Sequence, residues 1–232
     1  NLTENHGPSY ARNMAWNTSS QNYIAFLDSD DWWSADKLEI CSKYLDECLD
    51  LIHHDLDLAY DQPSFFNRRH TCSRQLKRPV LKDLLIKGNA IVNSSVIVRK
   101  RLLNEIGGIN EDKNMVASED YNTWLRIATL TDRFKYLPKS LGCYQIHSNA
   151  ISQRDMSKSD YAAIAEFKDQ LTRDQLREVE KLLNYISGRF NYLIKEYASA
   201  ELALKNALRS KNITITLKSI VMLAIIAVIK NK

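Results

Sequence analysis

The chain has 232 residues, 44% of them hydrophobic and 26% charged, with a formal net charge of +4. Those proportions exclude a disordered, collagen-like or disulfide-stapled chain, and the length suits one sizeable domain with an appended piece. Cys41, Cys48, Cys72 and Cys143 lack the paired spacing of a zinc site and suit a reducing cytoplasm, and the mild positive charge leans toward an anionic partner.

Gly7-Pro8 and the run Ser9 to Trp16 read as a turn and a short helix with proline in its first turn. Tyr23 to Asp28 reads as a strand apolar on both faces, the kind found inside parallel sheets. It empties into Asp28, Asp30 and Asp31. Three carboxylates within four positions repel unless a cation or a shared proton neutralises them, and hard oxygen ligands suit Mg²⁺ or Mn²⁺ better than Zn²⁺. A metal at the end of a strand points toward a phosphorylated substrate.

Ser34 is placed to cap a helix running to about Asp50, with Leu38, Cys41, Leu45 and Cys48 on one face and its positive pole near the acidic turn. Leu51 to Tyr60 reads as a half-buried strand. In it, His53-His54-Asp55 resembles a ligand cluster, but neighbouring strand residues face opposite ways and an ordinary strand is the better reading. Arg68, Arg69, Arg74, Lys77, Arg78 and Lys82, with no acidic residue among them, form a solvated basic connection, and no nucleic-acid partner is expected.

Val80 to Lys87 reads as a helix, Asn93 to Arg99 as a strand, and Lys100 to Ile106 as a helix stopped by Gly107-Gly108. Ser118 can cap a helix that carries Glu119 and Asp120 in its first turn, where the macrodipole favours an ionised carboxylate ready to accept a proton at neutral pH. Phe134 to Leu137 and Leu141 to Ile146 read as closing strands separated by Pro138. Beyond Ser157 the composition turns helical, with Thr172 to Gln175 in capping-box form. Ile220 to Ile229 is an uninterrupted apolar run, short for a membrane span and basic in its surroundings, as suits either an anionic leaflet or packing on its own bundle. The organisation expected is 1–155 for the main domain, 156–212 for a helical extension and 213–232 for an apolar, basic tail.

Four ordered segments carry a resemblance: Asn5 to Asn13, Tyr23 to Trp33 followed by Lys37-Leu38-Glu39, Ile106 to Asn110, and Ser118 to Arg126. Together they resemble the inverting GT-A-fold glycosyltransferases of the large family 2, over roughly positions 5 to 150. The resemblance implies an α/β fold with a GT-A-type mixed sheet flanked by helices, followed by the helical extension. The family's opening nucleotide-binding strands would then precede Asn1, so the chain is read as an N-terminally truncated form.

The resemblance further implies transfer of one sugar from a nucleotide-sugar donor, often UDP-linked, to a saccharide or lipid-linked acceptor with inversion, in building a surface glycan. Mg²⁺ or Mn²⁺ is the implied cofactor, with Asp30 its most direct ligand and Asp28 and Asp31 contacting nucleotide or ion. Asp120 takes the role of catalytic base, Glu119 shapes the acceptor pocket, Arg12 stands near the donor, and His147, in a Tyr-x-x-His segment, is a further metal or phosphate contact. The absence of a Gln-x-x-Arg-Trp motif points to single-sugar transfer, and the implied location is the cytoplasm, peripheral on the inner face of the plasma membrane. Two alternatives stand beside this reading: a phosphotransferase or phosphatase using the same aspartates, and a catalytically inert remnant serving as a membrane-associated interaction module.

Overall fold

The structure is a computed structural model that describes residues 4–45, 48–61, 69–147 and 154–230. The chain forms two compact units: Asn1–Leu84, Asn89–Lys113 and Glu119–Ala150 make the first, and Leu85–Gly88, Asn114–Ser118 and Ile151–Lys232 make the second. Arg68 of the basic connection lies outside the described residues.

The first unit is built on five strands, β1 (Tyr23–Ala25), β2 (Trp32–Trp33), β3 (Leu51–Tyr60), β4 (Ile97–Arg99) and β5 (Phe134–Ile146), in the order β1-β4-β3-β5-β2. β3 and β5 run parallel and the other neighbours antiparallel, giving a mixed sheet. Its helices are α1 (Pro8–Thr18), α2 (Lys37–Ser42), α4 (Lys100–Glu105) and α5 (Glu119–Leu130), with α3 (Val80–Lys87) beginning in this unit. Central strands must be apolar on both faces, and β3 opens with four consecutive buried residues, Leu51 to His54. Ile52 packs with Ile97, Leu137, Leu141 and Cys41 in the core.

Where β3 begins, buried Asp50 receives Arg99, Arg101 and Arg133 at 3.3, 2.9 and 2.8 Å. A carboxylate taken fully out of water needs such partners. The histidines that follow are also buried: His54 Nδ1 lies 2.7 Å from the Asp55 carbonyl, whereas neither ring nitrogen of His53 has a partner among the described residues. His53 instead packs its ring against Tyr136, which donates to Asp55 Oδ2 at 2.6 Å.

Several boundaries differ from the sequence expectations. Phe134 to Ile146 is one strand, not two, because the pairing with β3 absorbs Pro138 through register shifts at His54/Asp55 and Asp55/Asp57. Asn93–Ser95 is a 3-10 turn ahead of β4, since short polar side chains bond their own backbone, as Ser95 Oγ does to the Val92 carbonyl at 2.7 Å. α2 spans six residues with Asp36 at its N-cap and no side-chain cap, so it supplies no long dipole. Cys41 of the expected face is fully buried and Leu45 packs against the same core, but Leu38 is 53% exposed and Lys37 is fully buried.

The edge strand β2 was not legible in the sequence. It pairs with Gly142 and Cys143 of β5 so closely that a β-carbon on Gly142 would lie 2.5 Å from the Trp32 carbonyl.

The second unit contains α6 (Ser157–Ile164), α7 (Arg173–Leu193), α8 (Tyr197–Ala207) and α9 (Ile213–Lys230). α7 opens with the expected capping box: Gln175 N donates to Thr172 Oγ1 at 3.3 Å, and Thr172 N to Gln175 Oε1 at 2.9 Å. At Gly188 the helix approaches α8, where an added β-carbon would meet Leu204 Cγ at 2.8 Å. Ala200, Leu204 and Ile226 form the core that joins α9 to this pair. Ser118 does not spend its hydroxyl on a helix cap; it donates to Asp160 Oδ1 at 2.7 Å.

Candidate active site

Arg12 is the centre of the site. It leaves α1 to donate through Nη2 to Asp28 Oδ1 and through Nη1 to Glu119 Oε1, each at 2.6 Å. Burial opposes the guanidinium charge, but the two carboxylates outweigh it and raise its pKa. Two acidic clusters 91 residues apart in the chain thus meet on one cation.

The loop after α4 makes this meeting possible. Gly107 and Gly108 adopt left-handed φ values of 71° and 86°, and a β-carbon on Gly108 would lie 2.9 Å from Asn13 Oδ1. Asn13 exchanges hydrogen bonds with the Ile109 backbone, donating at 2.8 Å and accepting at 2.9 Å. Arg126 of α5 donates to the Gly108 carbonyl at 2.9 Å and also to that of Ile106. One loop therefore pins both α1, which bears Arg12, and α5, which bears Glu119 and Asp120.

Asp28 is held from a second side by the turn ahead of β4. Asn93 Nδ2 donates to Asp28 Oδ1 at 2.8 Å, and the Asp28 N–H donates to Ser94 Oγ at 3.0 Å. Ser94 is itself fixed, because its carbonyl accepts from Trp33 Nε1 at 2.8 Å and from Lys37 Nζ at 2.9 Å. Lys37 also sits 3.7 Å over the Trp33 ring centroid, and burial lowers its pKa to about 7. Asn93, Ser94 and Lys37 were missed as site residues. The signal available was a polar trio, Asn93-Ser94-Ser95, enclosed between Val92 and Val96 where an apolar strand was expected.

Asp28 Oδ1 is thus committed to two donors and acts here as a positioning anchor for Arg12. Asp30 is the exposed member of the turn, and its Oδ2 lies 3.2 Å from His147 Nε2. The structure brings these two together across 117 positions. Asp31 is buried; its Oδ1 accepts from Gln145 N at 3.0 Å and its Oδ2 has no hydrogen-bond partner among the described residues. Burial, with the nearby charges of Asp28 and Asp30, raises its carboxyl. No group of three or more His, Cys, Asp or Glu side chains suited to holding a metal occurs among the described residues.

Glu119 is buried, with Oε1 on Arg12 and Oε2 unpartnered among the described residues. Asp120 is half-buried and accepts from Tyr121 N at 2.6 Å. Its pKa lies higher than a helix N-terminus alone predicts. Desolvation and the charge of Glu119 push its pKa to about 8, against the lowering effects of Arg12 and the Tyr121 N–H. The helix N-terminus is the weaker influence because the carboxyl is withdrawn from water.

Comparison with known proteins gives a consistent result. The family described as "Glycosyltransferase like family 2" matches residues 2–189. An uncharacterised glycosyltransferase of Methanocaldococcus jannaschii is 26% identical over 147 residues, 61% of this chain and 48% of that protein. The UDP-Glc:alpha-D-GlcNAc-diphosphoundecaprenol beta-1,3-glucosyltransferase WfgD of Escherichia coli is 28% identical over 185 residues, 78% of this chain and 67% of that protein. The crystal structure of Staphylococcus aureus TarS superposes with a TM-score of 0.56 at 17% identity, covering 92% of this chain and 38% of that one, a likeness of fold. The chain therefore spans about half the length of the first of these relatives and two thirds of the second.

Proposed function

The chain belongs to the glycosyltransferase-like family 2, and from that premise we propose that it moves one sugar from a UDP-linked donor to a saccharide or lipid-linked acceptor, with inversion, at the cytoplasmic face of a membrane. Its relatives are glycosyltransferases, including one named for a diphosphoundecaprenol-linked substrate and one for teichuronic acid biosynthesis, which supports a role in surface glycan synthesis. The observation that carries the proposal is the double grip of Arg12, which holds the acidic turn and the helix bearing Asp120 against one guanidinium.

In direct displacement, the acceptor hydroxyl oxygen bonds to the anomeric carbon while the bond from that carbon to the diphosphate breaks. The electron pair leaves with the nucleoside diphosphate, and the hydroxyl proton passes to Asp120. A carboxylate whose pKa lies near the working pH is well matched to that task. Glu119 keeps the pKa of Asp120 high and, through Arg12, fixes the start of α5.

Asp30 and His147 offer part of a shell for Mg²⁺ or Mn²⁺. Asp30 offers carboxylate oxygen, His147 an imidazole at 3.2 Å from it, and Asp31 an unpartnered buried oxygen. Such ions are commonly held by one or two carboxylates, with phosphates and water completing the shell. Asp30 and His147 would hold the ion, and bound there it would supply positive charge against the departing diphosphate.

The test is UDP release from UDP-glucose and UDP-N-acetylglucosamine, with and without a lipid-linked saccharide acceptor, comparing the chain with its Asp120→Asn variant. Loss of a general base lowers turnover by roughly 10²- to 10⁴-fold while UDP binding persists. Unchanged turnover in Asp120→Asn overturns the assignment.

A further inference from the structure

α9 presents an unusual surface. Ile215, Ser219 and Ile226 are buried, and Met222 and Leu223 pack on the core shared with α8. The remaining side is apolar yet open: Ile213, Leu217, Ile220, Val221 and Val228 are between 49% and 65% exposed. Leu217, Val221 and Val228 recur at helical spacing and form one stripe. Of the 18 large hydrophobic residues exposed among the described residues, seven lie on this single helix.

The charge around that stripe has one sign. Glu201 accepts Lys205 at 2.6 Å and Lys230 at 2.5 Å, and no acidic residue follows it in the sequence. Arg209, Lys211 and Lys218 enter no salt bridge among the described residues. An open apolar stripe flanked by uncompensated cations complements the surface of an anionic leaflet, where acyl chains take the apolar side chains and headgroups take the lysines.

The geometry favours lying in the interface over crossing it. Eighteen residues rise about 27 Å, long and apolar enough to cross a bilayer by length and composition, but Lys218 and Ser219 fall within them. Crossing would also strip Ile226 from its core and Lys230 from Glu201. An in-plane helix keeps both.

We propose that the exposed face of α9 is a peripheral anchor that seats the protein on an anionic phospholipid surface. The inference deepens the reading of a lipid-linked acceptor, but its test needs no sugar transfer. The full chain is sedimented with vesicles of phosphatidylglycerol and phosphatidylcholine, and with vesicles of phosphatidylcholine alone, beside a Leu217→Asp/Val221→Asp variant. Both positions are more than half exposed, so the fold is retained, as far-UV circular dichroism will verify.

The expected result is binding to the anionic vesicles, weakened at least tenfold by the double variant and by raised salt. Equal binding by the chain and the variant, or no binding to anionic vesicles, overturns the proposal. So does a dimer in light scattering that the variant abolishes, which would make a second copy the occupant. A chain that binds vesicles but transfers no sugar leaves the anchor standing and removes the catalytic reading.

Discussion

Replacing Arg12 with leucine tests the central structural claim, that one guanidinium holds two acidic segments together. The side chains of Arg12, Asp28 and Glu119 are 19%, 26% and 6% exposed. Breaking a buried pair by removing one partner costs about 3 to 5 kcal/mol, because the surviving charge stays out of water. Water reaches Asp28 over about a quarter of its surface, so the lower end applies, about 3 kcal/mol. For a chain of this size each kcal/mol lowers the melting temperature by roughly 2–4 °C, giving a fall of about 6–12 °C.

Tryptophan fluorescence is the assay suited to this change. Trp16, Trp32, Trp33 and Trp124 all lie in the first unit, so melting of the helical unit does not enter the signal. A double-mutant cycle adds a stricter demand. Glu119→Gln alone leaves the cation with one carboxylate, and combined with Arg12→Leu it removes the more buried of the two stranded charges. The double variant is expected to recover at least about 1 kcal/mol relative to the sum of the single effects, as interacting neighbours do. A single variant within about 0.5 kcal/mol of the parent, or strictly additive effects, would show that Arg12 rests on the surface of the site without joining it.

Further outcomes concern metal and acid. Asp30→Ala and His147→Ala each raise by roughly tenfold the Mn²⁺ concentration needed for half-maximal UDP binding, consistent with the weight of a ligand or its outer-shell partner, with little change in melting temperature; titrations that coincide with the parent refute that assignment. His53 and His54 are buried with pKa values lowered to about 3 and about 4, chiefly by desolvation. The unfolded chain binds protons there once the pH falls below about 6.5, so stability is full above that value and is lost as pH falls toward the folded values. Each histidine contributes a slope of roughly 1.4 kcal/mol per pH unit, which urea midpoints at about pH 7, 6 and 5 will register. His53→Leu, which removes ring nitrogens that have no partner among the described residues, flattens that slope by about half.

The acidic turn and the Glu-Asp helix start were legible in the sequence because charge crowded at an element's end is a local pattern, and α3 and β3 fall on their expected bounds for the same reason. That the two clusters share one site was implied by the family resemblance, but the contacts that join them were not legible. The joining depends on Asn13 meeting Ile109 and on Arg126 meeting Gly108, contacts 96 and 18 positions apart, and separation in sequence carries no sign of them. The raised pKa of Asp120 was not legible for a related reason: a first helical turn is visible in a sequence, whereas desolvation is a property of the folded surroundings. Lys37 is buried beside the expected apolar face of α2 because a long aliphatic stem can enter a core when its amine finds a carbonyl and an aromatic ring.

The missing side chain at Gly142 reaches further than its own strand. β2 can nestle into β5 only because nothing projects from that α-carbon, and β2 is the exit from the turn that holds Asp28, Asp30 and Asp31. The acidic turn is thereby tethered to a vacancy the size of a methyl group. Any side chain at 142 would push β2, and the turn before it, away from β5, and a survey confined to charged positions would overlook it.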